Sequence, residues 1–254
     1  MYSTTSFEKK VRWFVNRFGA KEIVLKPMRS LFGPIVIPML RRRTFDFNGC
    51  RLELFAHRYN QAWATERAVE IPIAKWYLDQ YKGREVLEVG NVVSHYEAWR
   101  PNGHIVVDKF EKGPGVVNVD VLDFHPATRF DLILSISTFE HIGFDEECNE
   151  PSGRKIVKAM EACLSLLNPG GKLVITVPLG YNPDLDGMIR HGLGASRESY
   201  LCRKGFRSWC VCDRESALGR AYGKPFPYGN AILVGEFSFG WSAPARGTPG
   251  SKEP

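Results

Sequence analysis

What this chain of 254 residues lacks already bounds what it can be. It has no apolar run of roughly 18 residues or more, and its longest apolar stretch, Leu31 to Leu40, carries Pro34 and Pro38, so no membrane-spanning helix is expected. Cysteine is scarce: Cys50, Cys148, Cys163, Cys202, Cys210 and Cys212 are too few and too scattered for a disulfide framework and are expected to stay reduced. The spacing Cys202-x7-Cys210-x-Cys212, even with His191, matches no common zinc pattern, so no metal is expected. No Gly-x-Gly-x-x-Gly follows any strand signal, which removes the cradle that a dinucleotide pyrophosphate needs. The N-terminus lacks the basic, apolar and small-residue order of a secretory leader, because Glu8, Lys9 and Lys10 run into VRWFVNRF; a cytoplasmic protein is the expectation. There are no internal repeats.

What is present suits one sizeable core. Hydrophobic residues make up 44% and charged residues 24%, ordinary for a globular chain. The net charge of +6 is unevenly placed: residues 1–43 hold ten Lys or Arg against Glu8 and Glu22, a net +8, so the rest of the chain carries −2. A slightly acidic body offers no basic track, and nucleic acid is not an expected partner. Phe7, Val11, Phe14, Val15 and Phe18 fall at helical spacing with Lys9, Lys10, Arg12 and Arg17 around them. Such a basic amphipathic helix either packs on the body or, with Arg41 to Arg43, rests on an anionic membrane surface.

Two alternating runs flank Asn48-Gly49 in RTFDFNGCRLELF and predict a hairpin. Thr65 to Tyr81 reads as a helix with Val69, Ile73, Trp76 and Tyr77 on one side, kinked or restarted at Pro72. Strand signals then alternate with helix signals: EVLEV (85–89), HIVVD (104–108), FDLILSIS (130–137), KLVITV (172–177) and AILVGEF (231–237). Continuous β-branched runs of this kind are strands covered on both faces. The clearest helix is 154–167, stopped by Asn168-Pro169-Gly170-Gly171. The pattern predicts a mainly parallel sheet wound on both faces, with ligands beyond the carboxyl ends of its strands. The chain divides into a basic arm and hairpin (1–64), the main domain (65–240) and a Pro-, Gly- and Ser-rich disordered tail (241–254).

Four segments in fixed order carry the chemistry: REVLEVGNVVSHY (84–96), HIVVDKF (104–110), NVDVLDF (118–124) and FDLILSISTFEHIG (130–143), closed by LLNPGGKLVITVPLG (166–180). From Arg84 to Pro178 this resembles the class I S-adenosylmethionine-dependent methyltransferases, and most of all their small-molecule and glycan-modifying branch. The resemblance implies a doubly wound, Rossmann-like sheet with an antiparallel strand near Ala231 to Phe237 completing its edge, S-adenosylmethionine as cofactor, and an N-terminal arm outside it. Gly90 would leave room where the cofactor nears the backbone, and Glu88 would hold the loop or accept from the cofactor's ammonium. Asp108, 18 residues beyond Gly90, would take the two ribose hydroxyls. Asp120 would accept from the adenine amino group beside the Val121 N–H, and Ser135 and Ser137 would surround the methionine half. The chain departs from the family in keeping only Gly90 of the usual loop glycines; Asn91 could restore the turn by adopting left-handed angles.

Where an amino-methyltransferase of DNA would carry Asp/Asn-Pro-Pro-aromatic, this chain reads Ser-Thr-Phe-Glu-His, which favours an oxygen acceptor. His141 is either the general base for a hydroxyl or, with Glu140, a loop cap. His95 shares that ambiguity. The loop 180–186 offers Tyr181, Asn182 and Asp184 to a polyhydroxylated acceptor, unless these serve turns. Arg67 and Glu70 either face the site or form a surface ion pair. The resulting expectation is O-methylation of a small molecule such as a sugar or glycolipid intermediate. Its rivals are a cofactor-binding but inactive regulatory or partner protein, and a peripheral membrane module.

Overall fold

A computed structural model describes residues 15, 18–40, 42–99, 104–145 and 150–238. The basic helix expected over 7–18, apart from Val15 and Phe18, and the tail 241–254 lie outside the described residues.

The first long element is a helix that periodicity does not announce, α1 (Glu22–Met39), which contains Pro27, Pro34 and Pro38. Strands β1 (Thr44–Phe47) and β2 (Cys50–Glu53) form the expected antiparallel hairpin, turned at Asn48 and Gly49, both with positive φ. Helix α2 (Arg67–Gln80) buries Val69, Ile73 and Tyr77 on the predicted side. Pro72 neither breaks nor restarts it. The proline frees the carbonyl of Ala68, four residues earlier, and the N–H of Phe55 takes it at 2.9 Å, docking the N-terminal segment on the helix.

The main sheet has eight strands in the order β5-β4-β3-β6-β7-β10-β8-β9. Those strands are β3 (Val86–Val89), β4 (His104–Val107), β5 (Val116–Val117), β6 (Phe130–Ile136), β7 (Leu167–Pro178), β8 (Arg197–Gly205), β9 (Ser208–Cys212) and β10 (Ala231–Ser238). β5, β4, β3, β6 and β7 run parallel; β10, β8 and β9 are joined antiparallel. The fold is thus the doubly wound sheet read from the sequence, with one correction. Ala231 to Phe237 is antiparallel but not the edge: it pairs with β7 on one side and β8 on the other, and the β8–β9 hairpin forms the edge. Asn168 to Gly171, expected to stop the preceding helix, follow its end at Ser165 and already belong to the long β7, whose register against β6 shifts between Phe130 and Leu132.

Helices α3 (Ser152–Ser165), α4 (Pro183–His191) and α5 (Arg214–Leu218) share a core with one face of the sheet, through Ile156, Met160, Cys163 and Ile189. On the other face α2 and the β1–β2 hairpin pack Phe45, Phe47, Ile73 and Tyr77 against Leu132, Leu134 and Val234. Two buried arginines staple residues 54–64 to the β8–β9 edge. Arg203 donates to Ala64 O at 3.0 Å, and Arg207 donates to Trp63 O at 2.8 Å and Phe55 O at 3.2 Å. Desolvation lowers the Arg203 pKa to about 10.

A further correction concerns cysteine. Cys202 and Cys212 form a disulfide with Cα atoms 5.9 Å apart. In the β8–β9 register Cys202 opposes Cys210, and Cys212, two residues on, projects from the same face, so hairpin pairing brings together residues that spacing alone leaves apart. The expectation that these cysteines stay reduced does not hold for this pair.

Candidate functional site

Strand β3 is flanked by β4 on one side and β6 on the other, so the chain winds outward both ways from its carboxyl end. That is the topological switch point of an open α/β sheet. A cavity of about 270 Å³ opens there, walled by Gly90, Asp108, Phe110, Asp120, Val121 and Ser137 among others.

Its floor is the loop after β3. Gly90 has φ +86°, and a Cβ on it would lie 2.1 Å from Thr138 Oγ1 and 2.8 Å from Thr138 Cγ2. The glycine is therefore required by a close approach of the loop to the end of β6, whatever occupies the cavity. Asn91 does not take left-handed angles as expected: in the turn after β3 the positive φ belongs to Gly90, so one glycine suffices. Asn91 secures the loop by hydrogen bonding instead. Its Nδ2 donates to Glu111 Oε1 at 2.7 Å, its Oδ1 accepts from Ser94 Oγ, and its N–H donates to Asp108 Oδ2 at 2.9 Å.

Glu88 is fully enclosed beneath this loop. Its Oε1 accepts the N–H groups of Val92 at 2.8 Å and Val93 at 2.5 Å, and its Oε2 lies 3.0 Å from His104 Nε2. Of the two roles weighed for it, the structure displays the loop-holding one. Ser135 is likewise fully buried and donates to Val89 O at 2.9 Å, tying β6 to β3 outside the cavity lining.

Asp108 does face the cavity, but its carboxylate is heavily used. Oδ1 accepts from Phe110 N at 2.8 Å and Glu111 N at 2.7 Å, while Oδ2 takes Asn91 N. A carboxylate offers about four acceptor positions, so about one remains for a ligand rather than the two a ribose diol would fill. Asp120 caps the short 3-10 turn Val121–Asp123 through Leu122 N at 3.1 Å and lies 3.1 Å from Lys109 Nζ and 3.6 Å from Lys155 Nζ. Its charge is balanced by the protein itself.

Ser137 has φ +42°, a sparsely populated conformation for a residue with a Cβ. Its N–H donates to Thr176 O at 2.8 Å and its Oγ to Glu70 Oε1 at 2.7 Å. Glu70, fully buried, also accepts from Thr176 Oγ1 at 2.8 Å and pairs with Arg67, so the Arg67–Glu70 pair is internal rather than a surface pair. Burial opposes the Arg67 charge, but Glu70, Glu66 and Glu140 raise its pKa above the ordinary value.

Ser137 and His141 also line a second, more polar cavity of about 320 Å³, together with Lys26, Arg58, Glu66, Arg67 and Tyr222. The Thr65 hydroxyl and Glu140 Oε2 on its wall are buried without a protein hydrogen-bond partner. Burial pushes the Glu140 carboxyl up to about 7, against the pull of nearby His141. Burial, with the Glu70 charge, also raises Glu66, whose Oε2 accepts from Gly229 N at 2.9 Å.

His141 stands where the two cavities meet, its side chain 44% exposed. Its Nδ1 is hydrogen-bonded to Asp145 Oδ2, which also accepts from Tyr181 OH at 2.6 Å. Burial disfavours the imidazolium, yet Glu140 and Asp145 outweigh it and raise the His141 pKa above 6.5. Asp145 moves the other way: burial opposes ionisation, but hydrogen bonds from His141 and Tyr181 hold its carboxyl below the usual range. A carboxylate fixing Nδ1 of a histidine leaves Nε2 to exchange a proton. Asp145 stands four residues after His141 on one face of a turn, the spacing that signals such a pair in the sequence.

The expected acceptor residues are placed elsewhere. Asn182 is the N-cap of α4, with its Oδ1 accepting from Asp184 N at 3.0 Å and its Nδ2 donating to Glu140 O at 3.0 Å. Asp184 accepts from Ser152 Oγ and joins α4 to α3. Tyr181 supports Asp145. His95 stacks on Tyr59 at 4.5 Å between ring centroids and lies 2.9 Å from Glu111. None of the four lines either cavity. An Asn followed by Pro and Asp is first a helix start, and that local chemistry prevails here.

No family model and no curated protein matches this chain. Solved structures do. The N-methyltransferase NodS from Bradyrhizobium japonicum WM9, solved with S-adenosyl-L-homocysteine, is 14% identical over 69% of this chain and 92% of its own, with a TM-score of 0.42. A TehB-like S-adenosylmethionine-dependent methyltransferase from Corynebacterium glutamicum is 20% identical over 65% and 86%, with a TM-score of 0.36. An rRNA methylase from Streptococcus thermophilus is 12% identical over 67% and 96%, with a TM-score of 0.40. Likeness at this level decides neither the reaction nor the acceptor, which rest on the site itself.

Proposed function

We propose that the chain is an S-adenosylmethionine-dependent methyltransferase acting on an oxygen of a small polar molecule such as a sugar or glycolipid intermediate. The observation that carries the reading is the pair of cavities sharing Ser137 and His141: one at the switch point of the sheet, the other polar and walled by Arg67, Glu66 and Arg58. The first fits the cofactor in chemistry. Phe110, Val121 and Ile142 give apolar walls for a planar base, and Asp108 keeps an acceptor position beside them.

The cofactor supplies an activated methyl group. The protein's part is positioning and proton management. Gly90 and Thr138 fix the floor, and Ser137 is held rigidly by Glu70 and Thr176. Arg67 and Glu66 are placed to orient acceptor hydroxyls in the second cavity. His141, with Nδ1 secured by Asp145, would take the hydroxyl proton on Nε2. A second reading, a cofactor-binding protein without turnover, is favoured by one feature: most of the Asp108 and Asp120 acceptor capacity is spent on protein partners.

Calorimetry of S-adenosylmethionine and S-adenosylhomocysteine against the purified chain tests the first step, and an acceptor screen over hydroxylated small molecules tests the second. Micromolar binding with turnover supports the enzyme. Binding without turnover of any acceptor moves the second reading ahead, and absence of binding by folded protein refutes both.

A further inference from the structure

Helix α1 is turned inside out. At about 100° per residue its polar side chains Glu22, Lys26, Arg29 and Ser30 fall within one arc of about 100°, and that arc faces the protein. Glu22 pairs with Arg29, Arg29 Nε donates to Gln61 Oε1 at 3.0 Å, and Gln61 Nε2 donates to Lys26 O at 2.8 Å and Ser30 Oγ at 2.9 Å. Gly33, on the same arc, is buried near Trp63. The remaining surface is apolar and outward: Leu31 is 71% exposed, Ile35 63%, Met39 77% and Val24 61%, with Ile23, Leu25, Met28 and Phe32 each above 40%. A surface helix normally does the reverse.

These eight side chains make a continuous face on the order of 900 Å², larger than the roughly 300–600 Å² of the largest apolar patch on an ordinary soluble monomer. No charged side chain interrupts it, and cations bracket it within a segment of net +8: Lys21 precedes the helix, and Arg41 and Arg42 follow it, Arg42 highly exposed beside Glu53 at 3.5 Å, whereas Arg43 is turned to the carbonyls of Phe206 and Arg207. No helix among the described residues is long and apolar enough to cross a membrane. The three prolines also leave the carbonyls of Ile23, Ser30 and Pro34 without their usual intrahelical donors, a state tolerated where water or headgroups can reach them.

We propose that α1 lies in the interface of an anionic lipid bilayer, its outer face among the acyl chains and its flanking cations on the headgroups. The inference rests on the packing of α1 alone. Its inner edge supplies Lys26 and Ser30 to the second cavity, so the polar cavity would open about one helix diameter from the bilayer. If the methyltransferase reading also holds, an amphiphilic acceptor could be drawn from the membrane.

The test is flotation of the full chain with vesicles of phosphatidylcholine alone or mixed with phosphatidylglycerol, using wild type, Leu31→Asp/Ile35→Asp and Lys21→Glu/Arg42→Glu. Thermal melts establish that each variant is folded. Wild type should float with the anionic vesicles; the aspartate pair should reduce binding by about tenfold or more, and the charge reversals should weaken it in a salt-dependent way. Three results would overturn the proposal: wild type that stays with the buffer, flotation undiminished by the aspartate pair, or a wild-type dimer by light scattering that does not float and that the aspartate pair makes monomeric. Cofactor calorimetry is a separate readout, so failure of the methyltransferase reading leaves this one standing.

Discussion

Replacing Gly90 with alanine should expose two separable costs. The first is conformational: φ +86° is a region that a residue with a Cβ occupies at about 1–2 kcal/mol. The second is steric: the new methyl would lie 2.1 Å from Thr138 Oγ1 and 2.9 Å from Thr138 Cβ, and forcing a group into filled space costs about 1–3 kcal/mol. Gly90→Ala should therefore lose about 2–5 kcal/mol by urea denaturation. Thr138→Ala alone gives up the 3.1 Å hydrogen bond from Oγ1 to Ile136 O, about 1 kcal/mol. In the double variant the contacts with Oγ1 and Cγ2 are gone and only the 2.9 Å approach to the Cβ of residue 138 remains, so the two losses should fall short of additivity by most of the steric part, about 1–2 kcal/mol. A double-mutant cycle reads this difference directly. Additivity within about 0.5 kcal/mol would refute the close approach and with it the steric need for a glycine at position 90. Cofactor calorimetry on the double variant then asks whether the ligand also needs the space at Gly90.

Four further outcomes follow from the site. Glu140 has a folded pKa of about 7 against an ordinary 4.5, so the native state binds the extra proton and stability present below pH 4.5 is lost as pH rises through 7. Glu140→Gln should accordingly be up to about 3 kcal/mol more stable than wild type at pH 8 and little different at pH 4; equal differences at both values would contradict the buried carboxyl. His141→Ala should lower kcat by about 10²–10⁴ with little change in S-adenosylhomocysteine affinity if it is the base, and unchanged turnover would reduce it to a loop element. Because Asp145 raises the His141 pKa, Asp145→Asn should move the rising limb of the pH–rate profile to lower pH; an unmoved limb would separate the two residues. Asp108→Asn should weaken cofactor binding and loosen the loop together, and undiminished affinity by calorimetry would show that the carboxylate serves Asn91, Phe110 and Glu111 alone.

The order of strands and helices was legible in the chain before folding. Short β-branched runs at 85–89, 104–108, 130–137, 172–177 and 231–237 became β3, β4, β6, β7 and β10, because a strand covered on both faces keeps apolar side chains at successive positions. The sequence also located the switch-point cavity through Gly90, Asp108, Asp120, Val121 and Ser137, since a ligand site of this fold sits at strand ends that the runs already mark. Partnership, by contrast, is settled by folding. Whether a carboxylate is free for a ligand depends on which backbone N–H groups folding brings to it: Asp108 and Asp120 are largely occupied, Glu88 is sealed under its loop, and Asn182 is spent on a helix cap. The second cavity draws on residues 26–67, 137–141 and 222–228, three stretches with no common period. The direction of α1 was equally hidden, because a helix carrying three prolines has an apolar face in its sequence, but only packing against Gln61 shows that this face points away from the protein.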